Sequence, residues 1–148
     1  MRIEDEIKQP IFKDIFHKGY INLTYTTGWL QLRQMVLFKE FNITLPQFNV
    51  LRILRGQHPK PATVNLLIER MLDKTSNASR IVDKLEAKQF VTRTVCPSNR
   101  RAVDIRITET GLSLLFRLDG LIEQHPILPN LTEAEAAQFN ALLDKIRD

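Results

Sequence analysis

The chain has 148 residues, with only one cysteine, three scattered histidines and no long apolar run. One cysteine cannot form an internal disulfide, which is typical of a reducing compartment. The histidines stand singly and show no metal-ligand spacing, and no run approaches the roughly 18 apolar residues of a membrane span. The polar N-terminal segment MRIEDEIKQP lacks the apolar core of a secretory signal. We expect a cytoplasmic protein without a metal, a cofactor or a membrane partner.

The sequence also lacks the motifs of common enzymes. It contains neither a glycine-rich phosphate loop nor a nucleophile elbow. Asp83 and Glu86 could resemble a pair of acid/base carboxylates, but they lie three residues apart beside Lys84 and Lys88. This spacing is typical of charges on the surface of a helix. The sequence therefore predicts a protein that is not an enzyme.

The positive charge is concentrated in the middle of the chain. Residues 46–106 hold 12 Lys/Arg against 5 Asp/Glu, whereas residues 107–148 hold 3 Lys/Arg against 7 Asp/Glu. Residues 1–45 are nearly neutral, with 6 Lys/Arg against 5 Asp/Glu. A basic module between neutral and acidic arms indicates a polyanion partner for the middle only. A solvated basic face with no partner is the alternative.

The basic module reads as three helices followed by a strand, a turn and a second strand. Thr44-Leu-Pro-Gln47 has the form of a capping box, Thr63 is suited to cap the next helix, and a further helix is predicted from about Ser76 to Lys88. The segments FVTRTVC and AVDIRIT have the alternation of strands, and the PSNR turn at residues 97–100 joins them into a hairpin. This order predicts a winged helix-turn-helix.

Helices are also predicted on both sides of this module. Residues from about 8 to 40 have a long helical pattern with a doubtful patch at Thr24–Gly28, where threonine and glycine are poor helix formers. Thr108 begins a helix that should end near His125-Pro126, and Thr132 begins a last helix with the capping-box sequence TEAE. The fold class is thus mainly α with a small β-hairpin wing.

The run PQFNVLRIL, followed by SRIVDKLEAKQFVTRTVCPSNRRAVDIRITETG, resembles the MarR family of bacterial transcription regulators. The shared features are a Leu-Glu-x-Lys corner after a helix, the arginine of the wing turn and a Thr-x-x-Gly helix start. The resemblance covers residues 40–125 and, more loosely, the terminal helices. Two positions depart from the family pattern: Asn99 replaces the usual Asp of the wing, and Gln89 replaces a Gly at the helix-to-strand corner. A left-handed conformation at Gln89 would cost roughly 1 kcal/mol.

Recognition helices use their N-terminal residues to contact base edges. The candidates for that role are Ser76, Asn77, Ser79 and Arg80. Asparagine can bond adenine at two atoms and arginine can bond guanine in the same way. Simpler roles stay open: Ser76 could be the helix N-cap, Asn77 a solvated first-turn residue and Arg80 a partner of Asp83. Thr75 and Lys84 are expected to contact phosphate, which positions the protein without reading sequence.

Arg100 and Arg101 lie in the predicted wing turn. The resemblance implies that the wing reaches a neighbouring minor groove and that Arg101 matches the family's wing arginine. We expect Arg101 to enter that groove and Arg100 to contact phosphate, although one of them could instead pair with an acidic residue such as Asp83. Cys96 is also in the wing, and a redox role for it is left open, since Arg93 and Arg100 are near in sequence.

The resemblance further implies a single domain, residues 1–148, in which the terminal helices at about 1–43 and 109–148 interlock with a second subunit. Residues 44–108 would form the DNA-binding lobe, and a two-fold dimer would bind a pseudo-palindromic site. A monomer whose terminal helices pack on their own core is the alternative. Family members bind small aromatic or anionic molecules between these regions. The candidate ligand contacts are Phe16, Trp29, Arg33, Phe38 and Phe48, although aromatic residues at helical spacing are commonly core.

The sequence therefore predicts a sequence-specific, double-stranded-DNA-binding regulator. We expect a homodimeric repressor relieved by a small molecule. The alternative is a winged-helix adaptor that binds proteins and does not read DNA. A net positive charge on the module favours the first hypothesis, because an adaptor does not need it.

Overall fold

The structure is a computed structural model that describes residues 1–96 and 99–148, and only the backbone of residues 96 and 99–102. Its described elements, in chain order, are α1 (Ile3–Glu6), α2 (Ile15–Lys39), α3 (Leu45–Gln57), α4 (Val64–Arg70), α5 (Ala78–Ala87), β1 (Val91–Cys96), β2 (Asn99–Ile107), α6 (Glu109–Gln124) and α7 (Glu133–Ile146). The fold class predicted from the sequence, mainly helical with a β-hairpin wing, is confirmed.

Side-chain caps fix the starts of the helices where the sequence predicted them. Thr44 and Gln47 form a complete capping box at α3, and Thr132 and Glu135 form another at α7. The Thr63 side chain accepts a hydrogen bond from the backbone N–H of Leu66 at α4. Each cap satisfies a backbone donor that has no partner inside the helix. The starts of α3, α4 and α7 can therefore be predicted from the local sequence.

The long second helix begins later than the sequence predicted, and it settles the point that the sequence left open. It begins after the cap residue Asp14, later than expected, and it runs without interruption through Thr24–Gly28. The hydroxyls of Thr24 and Thr27 donate to the carbonyls of Tyr20 and Leu23, at 2.9 and 2.8 Å. Because these hydroxyls are satisfied within the helix, they do not compete with its backbone hydrogen bonds.

The hydrophobic core lies inside the lobe, around α3. Leu51, Leu54, Val82, Leu85 and Ile105 are almost completely buried there. β1 and β2 pair antiparallel, with Val91 opposite Ile107 and Val95 opposite Val103. A backbone bridge between Ala62 and Ile105 attaches the hairpin to the segment before α4. The core thus holds α5 and the hairpin in one packed unit.

The corner between α5 and β1 is tight. Gln89 adopts a left-handed conformation with φ of 62°, as expected at the position where the family pattern favours glycine. Thr108 then caps α6, and its hydroxyl donates to the Gln89 carbonyl at 2.8 Å. Gly111 lies so close to the corner that a Cβ atom there would meet the Phe90 carbonyl oxygen. Packing at this corner therefore requires glycine at position 111, the last residue of the Thr-x-x-Gly start of α6.

The terminal helices bury little of their own surface. α7 has no buried residue, and Phe38 is the only buried residue of α2. Phe16, Tyr20, Leu142 and Ile146 remain mostly exposed. No helix in the described part of the chain is both long and apolar enough to cross a membrane.

Candidate nucleic-acid interface

Helix α5 presents one face to the core and the other to solvent. Ala78, Val82 and Leu85 are buried, and the helix is strongly amphipathic as a result. Ser79, Arg80 and Lys84, which the sequence marks as candidate DNA contacts, are exposed on the other side. The structure therefore brings these three residues together on a polar face that is open to a partner.

The cap of α5 is Asn77 and not Ser76. The carbonyl oxygen Oδ1 of Asn77 accepts a hydrogen bond from the backbone N–H of Arg80 at 3.0 Å. The predicted start near Ser76 is thus one to two residues early, and Asn77 is exposed, as the alternative for it expected, but it is the cap and not a first-turn residue. A two-atom contact from Asn77 to adenine would have to share this oxygen, through its second lone pair, with the N–H of Arg80.

Asp73 organises the turn before α5, and sequence reasoning missed it. Its Oδ1 accepts from the hydroxyl and the backbone N–H of Thr75, at 2.6 and 2.9 Å. Its Oδ2 accepts from the Ser76 hydroxyl at 2.6 Å. These bonds, that of Ser76 first, lower the pKa of Asp73 to about 2. An Asp two and three residues before Thr and Ser is a recognisable turn signal, which could have identified it.

The same hydrogen bonds to Asp73 occupy the donors of Thr75. Its hydroxyl and its backbone N–H both donate to Asp73. A phosphate oxygen accepts hydrogen bonds and does not donate them. In this arrangement Thr75 has neither of its two donors available for the phosphate contact that was expected of it.

Arg93 connects the hairpin to α5. Its guanidinium donates to the carboxylate of Asp83 and to the carbonyl of Ser79, the latter at 3.3 Å, and its Nε lies 3.5 Å from Glu86 Oε2. Asp83, the partner considered for Arg80 and for the wing arginines, is therefore held by Arg93. Asp83 and Glu86 are exposed on the surface of α5, as their spacing predicted, and both lie beside the Arg93 guanidinium.

The predicted wing tip falls mostly outside the described residues. Residues 97 and 98 of the turn are not described, nor are the side chains of Cys96, Arg100 and Arg101. The backbones of β1 and β2 nevertheless bring Cys96 opposite Asn99. The hairpin is thus present where the sequence placed it, and the roles of its arginines stay predictions.

The five candidate ligand residues do not line one cavity. Phe38 and Phe48 pack on each other in the core with ring centroids 4.6 Å apart, whereas Phe16 is 82% exposed. The Arg33 guanidinium lies 4.7 Å from the centre of the Trp29 ring. Two of the five are therefore core residues, as the sequence allowed, and the other three lie along α2.

A cavity of about 560 Å³ lies between the C-terminal half of α2 and the start of α3. Its lining is mainly apolar, includes two lysines, and consists of Leu32, Met35, Val36, Lys39, Asn42, Ile43, Thr44, Leu45, Pro46 and Lys88. Volumes of 300–1,000 Å³ are usual for small-molecule sites. Sequence reasoning missed this site, because its residues come from separate segments that only the fold brings together.

Lys88 connects this cavity to α5, whose C-cap it is. Its ammonium donates to the Asn42 carbonyl and, at 3.2 Å, to Gln47 Oε1, the side chain that completes the α3 capping box. Burial, and then repulsion from Lys84, lower the pKa of Lys88. A ligand anion in the cavity would compete with these two oxygens for the ammonium.

The described residues were also compared with the arrangements of side chains that bind metal ions. Among them, no group of three or more His, Cys, Asp or Glu side chains is arranged to hold a metal ion.

Comparisons with known proteins agree with this architecture. The family model described as "MarR family" matches residues 43–103, which span α3 to the hairpin. The HTH-type transcriptional regulator MgrA of Staphylococcus aureus is 26% identical over 110 residues, covering 74% of each chain.

Solved structures are similar over almost the whole chain. A MarR transcription factor from Planctomyces limnophilus has 27% identity and a TM-score of 0.70, covering 90% of this chain and 98% of that one. The organohalide-sensing regulator RdhR-CbdbA1625, solved with 2,4-dichlorophenol bound, has 18% identity and a TM-score of 0.80, covering 90% of this chain and 80% of that one. The second likeness concerns the fold alone.

Proposed function

Because this chain belongs to the MarR family of winged-helix transcription regulators, we propose that it is a homodimeric, sequence-specific repressor that a small molecule releases from DNA. It would act in the bacterial cytoplasm, where its DNA lies. The observation that carries the proposal is the exposed polar face of α5, presented on a module with 12 Lys/Arg against 5 Asp/Glu. A face of this kind suits a major groove, and the excess charge suits phosphate.

The contacts proposed for α5 follow from its exposed residues. Arg80 would bond a guanine edge at two atoms, and Ser79 would lie against a neighbouring base. Ser76 and Asn77, at the start of the helix, would also face base edges. Lys84, one turn further along, would contact phosphate, while Thr75 would support the turn through Asp73. Base contacts would determine sequence preference and phosphate contacts would determine general affinity.

The wing would supply the contacts on the flank of each half-site. We propose that Arg101 enters the minor groove and that Arg100 contacts phosphate. Narrow minor grooves concentrate negative potential and attract arginine. This assignment rests on the family pattern and on the position of the hairpin beside α5.

A second copy of the chain would cover the exposed apolar surface of α2 and α7. Residues of about 1–43 and 109–148 would form this dimerisation region, and residues 44–108 the DNA-binding lobe. The exposed positions Phe16, Tyr20, Leu142 and Ile146 support this division, because large apolar side chains in such number mark an interface. Two-fold symmetry would then require a pseudo-palindromic site.

The effector would occupy the cavity beside Lys88. Its apolar lining and its two lysines favour a small molecule with an apolar or aromatic body and one anionic group. Because Lys88 caps α5, an anion that draws it away from Asn42 and Gln47 would change how the recognition helix is held. Such a ligand shifts the equilibrium only by its difference in affinity between the two states.

The central experiment is selection of bound duplexes from a random DNA pool. The proposal predicts an enriched inverted repeat, with affinity that falls steeply as salt is raised. Arg80→Ala should flatten the base preference at one position and leave non-specific binding largely intact, whereas Arg147→Ala, just after α7, should change neither. Arg101→Ala should weaken protection at the flanks of a footprint. No enrichment by an active dimeric preparation would contradict the proposal and favour a protein-binding adaptor.

The effector site has a separate test. We expect benzoate, but not neutral benzamide, to bind in calorimetry and to release DNA. Lys88→Met should abolish both effects of benzoate, and Lys60→Met should abolish neither. Release of DNA by benzoate from the Lys88→Met protein would place the effector elsewhere.

A further inference from the structure

The hydrogen bonds of Asp73 fix the direction in which two hydroxyl groups point. An ionised carboxylate can only accept, so the hydroxyls of Thr75 and Ser76 must both be donors to Asp73. The pKa of Asp73, about 2, keeps the carboxylate ionised throughout the range in which proteins bind DNA. The hydroxyl hydrogen of Ser76 is therefore directed back into the turn, and its lone pairs are left for a partner.

Whereas Ser76 uses its donor within the protein, the Asn77 side chain uses an acceptor. Its carbonyl oxygen is bound by the N–H of Arg80, at 3.0 Å, in the cap of α5. That bond uses one of the two lone pairs of the oxygen, so the amide nitrogen, with its two hydrogens, is the less occupied part of the side chain for an approaching base. Two adjacent residues at the start of the recognition helix thus offer one acceptor and one donor.

We infer that Asp73 is a positioning residue that sets the hydrogen-bond polarity with which the start of α5 reads DNA. Ser76 accepts from an exocyclic amine, N6 of adenine or N4 of cytosine, and Asn77 donates to a base acceptor. In the major groove these amines are the donors, whereas thymine O4, guanine O6 and N7 and adenine N7 are acceptors, so cytosine alone presents a donor without an acceptor. The inference rests on the proposed function and adds to it a residue that does not itself touch a base.

The position of the charge supports a specific role for it. A carboxylate beside a phosphate backbone lowers affinity for every sequence, because like charges repel. Asp73 is exposed, three residues before Ser76, on a module whose other charges are mostly positive. Uncharged hydrogen-bonding side chains could also brace this turn. The carboxylate differs from them in one respect: it forces both hydroxyls to donate.

Asp73→Asn should change the Ser76 hydroxyl from donor to acceptor in the turn and leave the Thr75 hydroxyl a donor. Thr75 bonds Oδ1 twice, so the amide oxygen would take that position and the amide nitrogen would take the position of Oδ2. The nitrogen donates, so Ser76 would become the acceptor in the turn and would turn its hydrogen outward. At the position that faces Ser76, the variant protein should then prefer a base that presents an acceptor over a base that presents an amine.

The experiment measures relative affinities for a set of duplexes in which each base pair of the selected site is varied in turn. For the wild type we expect adenine or cytosine to be favoured about three- to tenfold at the base facing Ser76, as one hydrogen bond allows. Asp73→Asn should shift that preference away from cytosine, which presents no acceptor, to thymine or guanine by a similar factor. Ser76→Ala should remove the preference, and Asp73→Asn should have no further effect on it in the Ser76→Ala background.

Glu69→Gln is the matched control. It removes one exposed carboxylate from the same lobe, on α4, without altering the bonds of Ser76. Both charge-removing variants should raise affinity for all duplexes, but only Asp73→Asn should change the base profile. Identical profiles for the two variants would overturn the inference while leaving the proposed function intact. A wild type that binds every duplex equally would overturn both.

Discussion

Replacing Gly111 with alanine should destabilise the fold, although alanine is the better helix former. The new Cβ would meet the Phe90 carbonyl oxygen and lie 2.8 Å from Ile107 Cγ1. The side chain of Ile107 could adjust, but the Phe90 carbonyl is held in place by the backbone N–H of Thr108 at 3.0 Å. Relief of the clash therefore requires α6 to move away from the corner between α5 and β1.

The expected size follows from two opposing effects. Overpacking against a part of the structure that cannot yield costs up to about 3 kcal/mol. The higher helix propensity of alanine returns about 1 kcal/mol. The free energy of unfolding should fall by about 2 kcal/mol, a large part of the stability of a small domain.

Urea unfolding followed by the fluorescence of Trp29 measures this change, at one fixed protein concentration because dimer formation would add to stability. Gly56→Ala is the control, since Gly56 lies in α3 with no atom within 4 Å of the position that its new methyl group would take. That variant should be unchanged or stabilised by up to about 1 kcal/mol. A Gly111→Ala protein as stable as Gly56→Ala would refute the reasoning.

Three other positions give predictions for the same unfolding assay and one gives a prediction for DNA binding. Gln89→Gly should raise the free energy of unfolding by up to about 1 kcal/mol, because glycine adopts the left-handed conformation without strain; a loss would contradict this. Thr44→Ala should lower it by about 1 kcal/mol through loss of the capping box, and a neutral result would count against that cap. Phe38→Ala should lower it by about 3–5 kcal/mol, and a loss under about 1 kcal/mol would show that the side chain is not core. Arg93→Gln should weaken binding to all duplexes about equally, since it frees two carboxylates; a changed base preference would mean that Arg93 itself reads DNA.

Local signals predicted most of the helices of the fold. The capping sequences at Thr44, Thr108 and Thr132 need only residues within one turn, so they can be read from the sequence directly. The break considered at Thr24–Gly28 was left open because propensity disfavours a helix there, and the structure resolves it through the hydroxyls that bond within the helix. Propensity is a weak guide where a side chain can satisfy itself in this way.

The interface was harder to predict for two reasons. Ser76 and Asn77 are both good cap residues, and the choice between them depends on Asp73, which binds the Ser76 hydroxyl. The partner of Asp83 is Arg93, ten residues along the chain, and only the folding of the hairpin against α5 brings the two together. The cavity beside Lys88 likewise joins segments that no short motif connects.

The attachments of α5 bear on how an effector could act. Arg93 ties the helix to the hairpin, and Lys88 ties its C-terminal end to Asn42 and Gln47 at the junction with α2. The contacts of Arg93 join α5 and the hairpin into one unit, so their relative position is a poor candidate for regulation. The second tie lies at the edge of the cavity, where a bound anion can reach it. We therefore expect an effector to turn the whole lobe relative to α2, which changes the distance between the two recognition helices of a dimer without altering either reading surface.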